Sequence, residues 1–370
     1  YLVGRIRLAN GVHTACIIAL LNSDDGIYCD AVIMDQHLVH NLFSSTLANY
    51  HVTTRYYHEL CRYLRLLMPQ RALGLHYSTI GYNHVGKVAV INELKQELAD
   101  SSGVLDIAIG EPGTVAIGFA GPHSAYNLKV IRNHPTAGYK WGKFEGIDAV
   151  KAKYSRVHEI NRTGSMLDNI IYFNIALEKK LFAPSLLDEL LGEASETVSL
   201  QDDIVIFKYL IVQPRMTPLP VFLEQAEDWQ IRYVIENLGD CIKNNAAANI
   251  FNKDLDARNY GVSHFLKVYL YDYDALEDFV SVKIRSNQDR IDGEEDIPDW
   301  YFEDGVVFLP EEIEAGLCIA DREHRRLFRE LHGDLSTTAY WERLQQQLCR
   351  DQVPVIKVYP DSCKLRKSTQ

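Results

Sequence analysis

Hydrophobic and polar positions change their period several times along the chain. Up to residue 35 they alternate as strands do. Tyr1-Leu-Val-Gly-Arg-Ile-Arg-Leu-Ala9 and Val12 to Leu21 flank Asn10-Gly11, which predicts a tight hairpin because both central positions of that turn need positive φ. Ile27 to Met34 predicts a third strand. From 36 to 68 the spacing becomes helical, through Leu38, Leu42 and Leu47 and later Leu60, Leu64 and Leu67, and stops before Pro69. Residues 84–99 predict another helix, and Ser101-Ser102-Gly103 a domain junction. Strand patterns return at 104–109, 114–119 and 127–132, helices are expected near 146–160 and 167–181, and 203–212 is an unbroken β run. Pro214, Pro218 and Pro220 then interrupt the chain. Proline removes a donor and fixes φ, so this stretch is expected to be a breaker and a hinge between two lobes. Beyond it the pattern is mainly helical, with Ile231, Val234, Ile235, Leu238, Cys241 and Ile242 forming one stripe.

This order predicts an α+β fold with a bilobal layout. A parallel α/β sheet fits less well, because its strands would alternate regularly with helices. The expected organisation is a first domain over 1–102, a strand-rich lobe over 103–213, a helical lobe over 214–360 and a tail from 361.

Composition narrows the class. The 370 residues are 47% hydrophobic, enough for two or three packed domains. The net charge of -12 argues against nucleic acid and anionic membrane surfaces as partners. No apolar run approaches the roughly 20 residues of a membrane span. The start reads as a strand and not as a signal peptide, and the missing initiator Met leads us to expect an incomplete N-terminus. Seven scattered cysteines without a Cys-x-x-Cys pair indicate neither a disulfide framework nor a zinc site, and a reducing cytoplasm is the expected setting. The thirteen histidines show no ligand spacing, and there is no Gly-x-Ser-x-Gly elbow.

The chemistry concentrates near residue 260. Asp254 is followed by Asn259 five residues later, and Tyr271-Asp272-Tyr273-Asp274 follows after a short apolar strand. This is the spacing of a kinase catalytic loop and its metal-binding aspartate. Phosphoryl transfer needs a carboxylate to orient the attacking hydroxyl, and an amide and a second carboxylate to hold bridging metal ions. Asp254 takes the first role; Asn259 and Asp272 take the others. Arg258 is a candidate for the γ-phosphate and equally an exposed loop cation. Asp274, where kinases carry glycine, is a further metal ligand or a turn residue. Lys129 lies in an apolar strand, where it is costly unpaired; it fits ATP phosphates, and a solvent-facing place on an edge strand fits as well. Ala108, Ile109, Gly110, Glu111, Pro112, Gly113 and Thr114 join two strands. The glycines admit close approach of backbone N–H groups to phosphate, although the stretch also reads as a plain hairpin turn. Asp168 is expected at a helix start, where it complements the dipole.

With these residues in place, the chain resembles the bacterial isocitrate dehydrogenase kinase/phosphatases. The resemblance covers about 1–355. It is strongest in Ala246-Ala-Ala-Asn-Ile-Phe251, Asp254-x4-Asn259-Tyr-Gly-Val262 and Tyr271-Asp-Tyr-Asp274, with Arg215-Met-x-Pro-Leu219, Gly164-x-Met-x-Asp168, Lys129-Val-Ile131 and Asp334-Leu in support. It implies a protein-kinase-like domain preceded by the end of a mixed helical and β regulatory domain. It implies a bifunctional enzyme that phosphorylates and dephosphorylates a serine of isocitrate dehydrogenase, with ATP or ADP, with Mg2+ or Mn2+, and with AMP as an allosteric effector. It leaves room for a homodimer. It also assigns 108–114 to the nucleotide loop, Lys129 to ATP, and Asp168 to phosphatase action in place of the dipole reading. Glu236 matches a family acid. The chain departs from the family at Glu111-Pro112, Asp256 and Arg258 and lacks the longer N-terminal part. A small-molecule kinase and a nucleotide-sensing pseudoenzyme or partner-binding module are the alternatives.

Overall fold

The computed structural model describes residues 1–43, 52–100, 103–110, 112–138, 144–287 and 304–365. The predicted helical position Leu47, the Ser101-Ser102 junction and Glu111 lie outside the described residues. The chain forms two compact units, Tyr1–Glu93 with Lys357–Gln370, and Leu94–Ile356.

In the first unit β1 (Leu2–Arg7), β2 (His13–Ser23) and β3 (Gly26–Ile33) make an antiparallel sheet in that order. The period-2 pattern of β2 sends Ala15, Ile17 and Ala19 inward. They meet α1 (Gln36–Leu42), α2 (Tyr57–Leu67) and α3 (Leu73–Thr79) around Val39, Leu42, Cys61, Leu64 and Met68. Asp35 caps α1 by accepting from Leu38 N–H at 3.0 Å. The first hairpin is looser than its dipeptide predicts. Only Gly11 takes positive φ, at 82°, and Arg7 pairs with His13, so the connection spans five residues. The end of the chain, expected as a tail, lies along β3 as far as Leu365. Lys364 bridges Ala31, Leu365 N–H donates to the Asp30 carbonyl at 2.8 Å, and Tyr359 donates to Asp30 at 2.6 Å.

This unit carries a pH liability. His76 in α3 is fully buried. Burial, and then the nearby Arg71 cation, pull its pKa from 6.5 down to about 3. The folded state therefore stays neutral while the unfolded chain takes up a proton below pH 6.5. Stability is intact above 6.5 and drains as the pH falls from there toward 3. At pH 5 the loss from this one group is about 2 kcal/mol, at 1.36 kcal/mol per unit. Urea midpoints at pH 7 and pH 5 are expected to differ markedly in the wild type, and His76→Leu is expected to remove most of that difference. An unchanged difference in the variant would exclude His76 as its source.

The chain passes into the second unit within α4 (Asn83–Asp100). A six-stranded antiparallel sheet follows, from β4 (Asp106–Ile107), β5 (Ala116–Ala120), β6 (Tyr126–Ile131), β7 (Ile170–Glu178), β8 (Val198–Gln201) and β9 (Ile204–Pro214). Its order is β4-β5-β6-β9-β7, and β8 also pairs with β9. α5 (Ile147–Ile160) follows β6, and α6 (Pro184–Glu193) follows β7. The helix expected at 167–181 is instead strand β7. Its Ile170-Ile-Tyr-Phe173 and Ile175 are β-branched or aromatic, and it pairs with β9 from Ile170↔Val212 to Glu178↔Ile204. Phe119, Phe182 and Phe207 gather on this sheet with ring centroids 6.0–6.5 Å apart.

The prolines bound elements here; they do not form an extended breaker. Pro214 ends β9 opposite Tyr126. After β10 (Thr217–Pro218), Pro220 falls in the first turn of α7 (Leu219–Gln225), where its missing N–H has no helical partner. α8 (Asp228–Ala247) begins with a Glu227/Gln230 capping box and buries its predicted stripe. Around it lie β11 (Ile250–Asn252), β12 (Tyr260–Val262), β13 (Val268–Leu270), β14 (Leu276–Asp278), β15 (Lys283–Ile284), β16 (Val307–Phe308), α9 (Ile313–Leu317), α10 (Arg322–His332) and α11 (Thr338–Cys349). Trp341 centres this core against Phe251, Phe279 and Phe308 and donates to the Leu335 carbonyl at 2.7 Å. Truncating a buried ring of this size generally costs about 3–5 kcal/mol.

Candidate active site

Two strand pairs build the site. β11 pairs with β14 through Asn252↔Leu276, and β12 pairs with β13 through Tyr260↔Leu270. The segments 253–259 and 271–275 therefore both run between the same two ladders and lie side by side. Two bonds tie them: Lys253 N–H to the Ala275 carbonyl at 3.0 Å, and Tyr271 N–H to the Asn259 carbonyl at 3.0 Å. The sequence spacing of Asp254, Asn259 and Asp272 thus becomes a spatial cluster.

Asp254 is braced through its backbone. Asn252 donates its side-chain amide to the Asp254 carbonyl at 2.7 Å and accepts from Asp254 N–H at 3.1 Å. Asn259 donates to the same carbonyl at 2.9 Å. That bond orients the Asn259 amide nitrogen toward the loop and leaves its side-chain oxygen to act as a hard ligand. Asn252 was not singled out from sequence, although its i,i+2 spacing to Asp254 is an Asx-turn signature.

Arg258, a candidate for the γ-phosphate and equally for an exposed loop cation, pairs with Asp256. Its guanidinium forks onto Asp256 at 2.7–3.1 Å, and Asp256 also accepts from Arg258 N–H at 2.8 Å. Asp256 is buried and Arg258 is 60% exposed. Asp256 and Arg258 thus form one ion pair that stiffens the turn. Such bidentate geometry suits arginine and not lysine.

Asp272 and Asp274 form an acidic corner. Asp272 accepts from Asp274 N–H at 3.0 Å. Burial, and then the Asp274 charge, raise the Asp272 carboxyl, while that N–H and Lys129 pull the other way. Asp274 is held by Lys153 of α5, whose ammonium lies 3.1 Å from its carboxylate. Lys129 stands in β6, an interior strand flanked by β5 and β9, so the edge-strand alternative does not apply. Its ammonium sits 5.1 Å from the Tyr271 ring and 5.8 Å from that of Tyr154. Burial lowers its pKa to about 8 against the upward pull of Asp272 and Asp274.

Asp168 is buried just before β7, so the helix-dipole reading fails. A parallel bridge joins Met166 to Leu270, and Leu167 N–H donates to the Leu270 carbonyl at 2.8 Å. Asp168 and Asp272 each stand two residues past that bridge, on segments that leave it in the same direction. Tyr273 donates to the Leu167 carbonyl and accepts from Gln213, which locks the two segments together. Glu236, in α8, is engaged through its carbonyl with His332 at 3.0 Å.

The 108–114 segment joins β4 to β5. Ala108 N–H donates to the Gly118 carbonyl at 2.9 Å, and Arg132 holds the Gly113 carbonyl at 3.2 Å. Gly110 has φ 119°, and a Cβ there would come 2.9 Å from Pro218, so this position needs glycine. Pro218 pairs with Gly261, two residues beyond Asn259. Gly110 therefore lies close to the strand that follows the catalytic segment. Ile109, Gly110, Pro112 and Gly113 are exposed.

The donor set fits a small hard dication. Asp272 and Asp274 repel one another in a partly enclosed place, and Asn259 supplies a neutral oxygen. Among the described residues no group of three or more His, Cys, Asp or Glu side chains is gathered to hold a metal unaided. Mg2+ characteristically takes only one or two carboxylates and completes its shell with phosphates and water. Among the described residues no helix is long and apolar enough to cross a membrane.

Residues 104–361 match the isocitrate dehydrogenase kinase/phosphatase (AceK) kinase domain, and residues 1–102 match the regulatory domain of the same family. An isocitrate dehydrogenase kinase/phosphatase of Rhodopseudomonas palustris strain HaA2 is 51% identical over 99% of this chain and 60% of its own length. That of strain BisB5 is 52% identical over the same shares. One from Pseudoalteromonas translucida is 30% identical over 97% of this chain and 62% of its own length. The chain thus spans about three fifths of the relatives it matches. On the match of both domains and the continuous similarity, the chain belongs to the isocitrate dehydrogenase kinase/phosphatase family.

Proposed function

We propose that this chain carries the catalytic part of a bifunctional enzyme that transfers phosphate from ATP to a serine of isocitrate dehydrogenase and removes it again. The observation that carries this is the convergence of Asp254, Asn259 and Asp272 on adjoining segments, with Lys129 facing the acidic corner from the sheet. The names of the relatives support the protein substrate.

In the forward direction Asp254 orients the serine hydroxyl and accepts its proton as Oγ attacks the γ-phosphorus. The bond from phosphorus to the β–γ bridging oxygen breaks, and ADP leaves. Lys129 and the backbone of 108–114 hold phosphate oxygens. Asn259, Asp272 and Asp274 would hold Mg2+ or Mn2+, which when bound neutralises charge on the phosphates. In reverse, Asp168 orients a water and takes its proton as that oxygen attacks phosphoserine. The serine oxygen leaves and recovers a proton from Asp254 in its acid form. The assembled catalytic residues favour this reading over a pseudoenzyme. AMP belongs to it as an effector that favours the reverse direction, and the cytoplasm as its setting.

The test is label transfer from γ-32P-ATP to purified isocitrate dehydrogenase, followed by AMP in a second reaction. Incorporation into one serine and its release on AMP addition are expected. Labelling of a metabolite with none in the protein would favour a small-molecule kinase. ATP binding without any transfer would favour a sensor.

A further inference from the structure

Ordinary protein kinases use the helix after the lysine strand to supply a glutamate, which pairs with that lysine. The equivalent helix here, α5, supplies the opposite charge to a different residue. Its two acids are engaged elsewhere or lie far along the helix: Asp148 pairs with Lys151 at 2.7 Å, and Glu159 lines a cavity of about 210 Å³ with Arg156 and Arg162. Lys153 projects to the acidic corner, 3.1 Å from the Asp274 carboxylate and 3.3 Å from the Asp274 carbonyl.

The contact is built into the packing. Tyr154, the next residue, stacks edge-on against Tyr273 with centroids 5.1 Å apart at 83°. Asn169 holds the Tyr154 carbonyl at 2.9 Å. Consecutive residues of α5 thus dock on consecutive residues of the corner. Lys153 and Asp274 are 35% and 19% exposed, so water screens the pair only in part.

We propose that Lys153 is the counter-ion of Asp274 and sets how tightly the corner takes a divalent cation. The inference rests on the reading of Asp272 and Asp274 as metal ligands. Without a cation beside it, the second carboxylate adds its full charge to that of Asp272. With Lys153 in place, one oxygen of Asp274 is engaged by an ammonium that competes with the metal. An extra carboxylate then shapes the corner without turning it into a tight, slowly exchanging metal trap.

The test is Mn2+ binding to the full chain, read from the EPR signal of free Mn2+, with and without a non-hydrolysable ATP analogue. Lys153→Met keeps the aliphatic stem and is expected to tighten Mn2+ about tenfold, a shift of about 1.4 kcal/mol. Lys153→Arg, which keeps the charge, is expected to stay within about twofold of wild type. In an Asp274→Asn background the Lys153→Met effect is expected to vanish, because the partner it neutralises is gone. Unchanged or weaker binding in Lys153→Met, or an effect that persists in the Asp274→Asn background, would overturn the proposal. If the wild type binds no Mn2+, the metal reading of the corner falls, and this proposal falls with it. That result is distinct from wild-type binding that Lys153 does not modulate.

Discussion

Asp254→Ala is expected to lower the rate of phosphate transfer to isocitrate dehydrogenase by about three orders of magnitude, near 4 kcal/mol of transition-state free energy, while Mg·ATP affinity stays within about threefold. The division follows from how the residue is held. The bonds from Asn252 and Asn259 engage the Asp254 carbonyl and N–H, and alanine retains both groups. The substitution therefore removes the carboxylate and leaves the loop in place. On the proposed reading the nucleotide is held instead by Lys129 and the 108–114 segment on the sheet. Single-turnover transfer gives the first quantity and calorimetric titration with Mg·ATP the second. Turnover within tenfold of wild type would remove Asp254 from the chemistry. A parallel collapse of nucleotide affinity would make it a scaffold of the loop.

Much of this site was legible in the sequence because its members are close along the chain. Asp254 and Asn259 lie between β11 and β12 and Asp272 between β13 and β14, and the short β12–β13 hairpin between the two loops brings them side by side. The α+β layout was legible for the same reason, since each period change marks an element. β7 was misread because Ile170 to Glu178 has the length and apolar content of either state, and only its partner β9 decides it. Asp168 was then misplaced with it: its position beside the corner depends on a bridge from Met166 to Leu270, distant in sequence. Lys153 gave no local signal at all, because its partner Asp274 lies 121 residues further on. The Asp256–Arg258 pair was the opposite case. At i,i+2 it was within reach of inspection, yet each residue read as a separate departure until the geometry joined them.

Asp168→Ala is expected to lower dephosphorylation of phospho-isocitrate dehydrogenase by at least about a hundredfold, the range for loss of a positioned proton acceptor, and to leave forward transfer within about tenfold of wild type. In the proposed forward reaction the nucleophile is the serine hydroxyl, which Asp254 would serve. Only the proposed reverse reaction must bring in a water, and the candidate to orient it is Asp168, a buried carboxylate two residues past the Met166–Leu270 bridge. Asp168 also raises the Tyr273 hydroxyl electrostatically, after burial and Tyr154, so it is part of the packing that joins β7's entry to the corner. A purely structural residue would give a different pattern, with both directions falling together and thermal stability falling with them. Measuring release of phosphate from labelled isocitrate dehydrogenase, forward transfer and the melting temperature on the same preparation separates the two. Equal loss of both activities would make Asp168 a shared support of the site. Selective loss of the reverse direction at unchanged melting temperature would assign to it the water on which that direction depends.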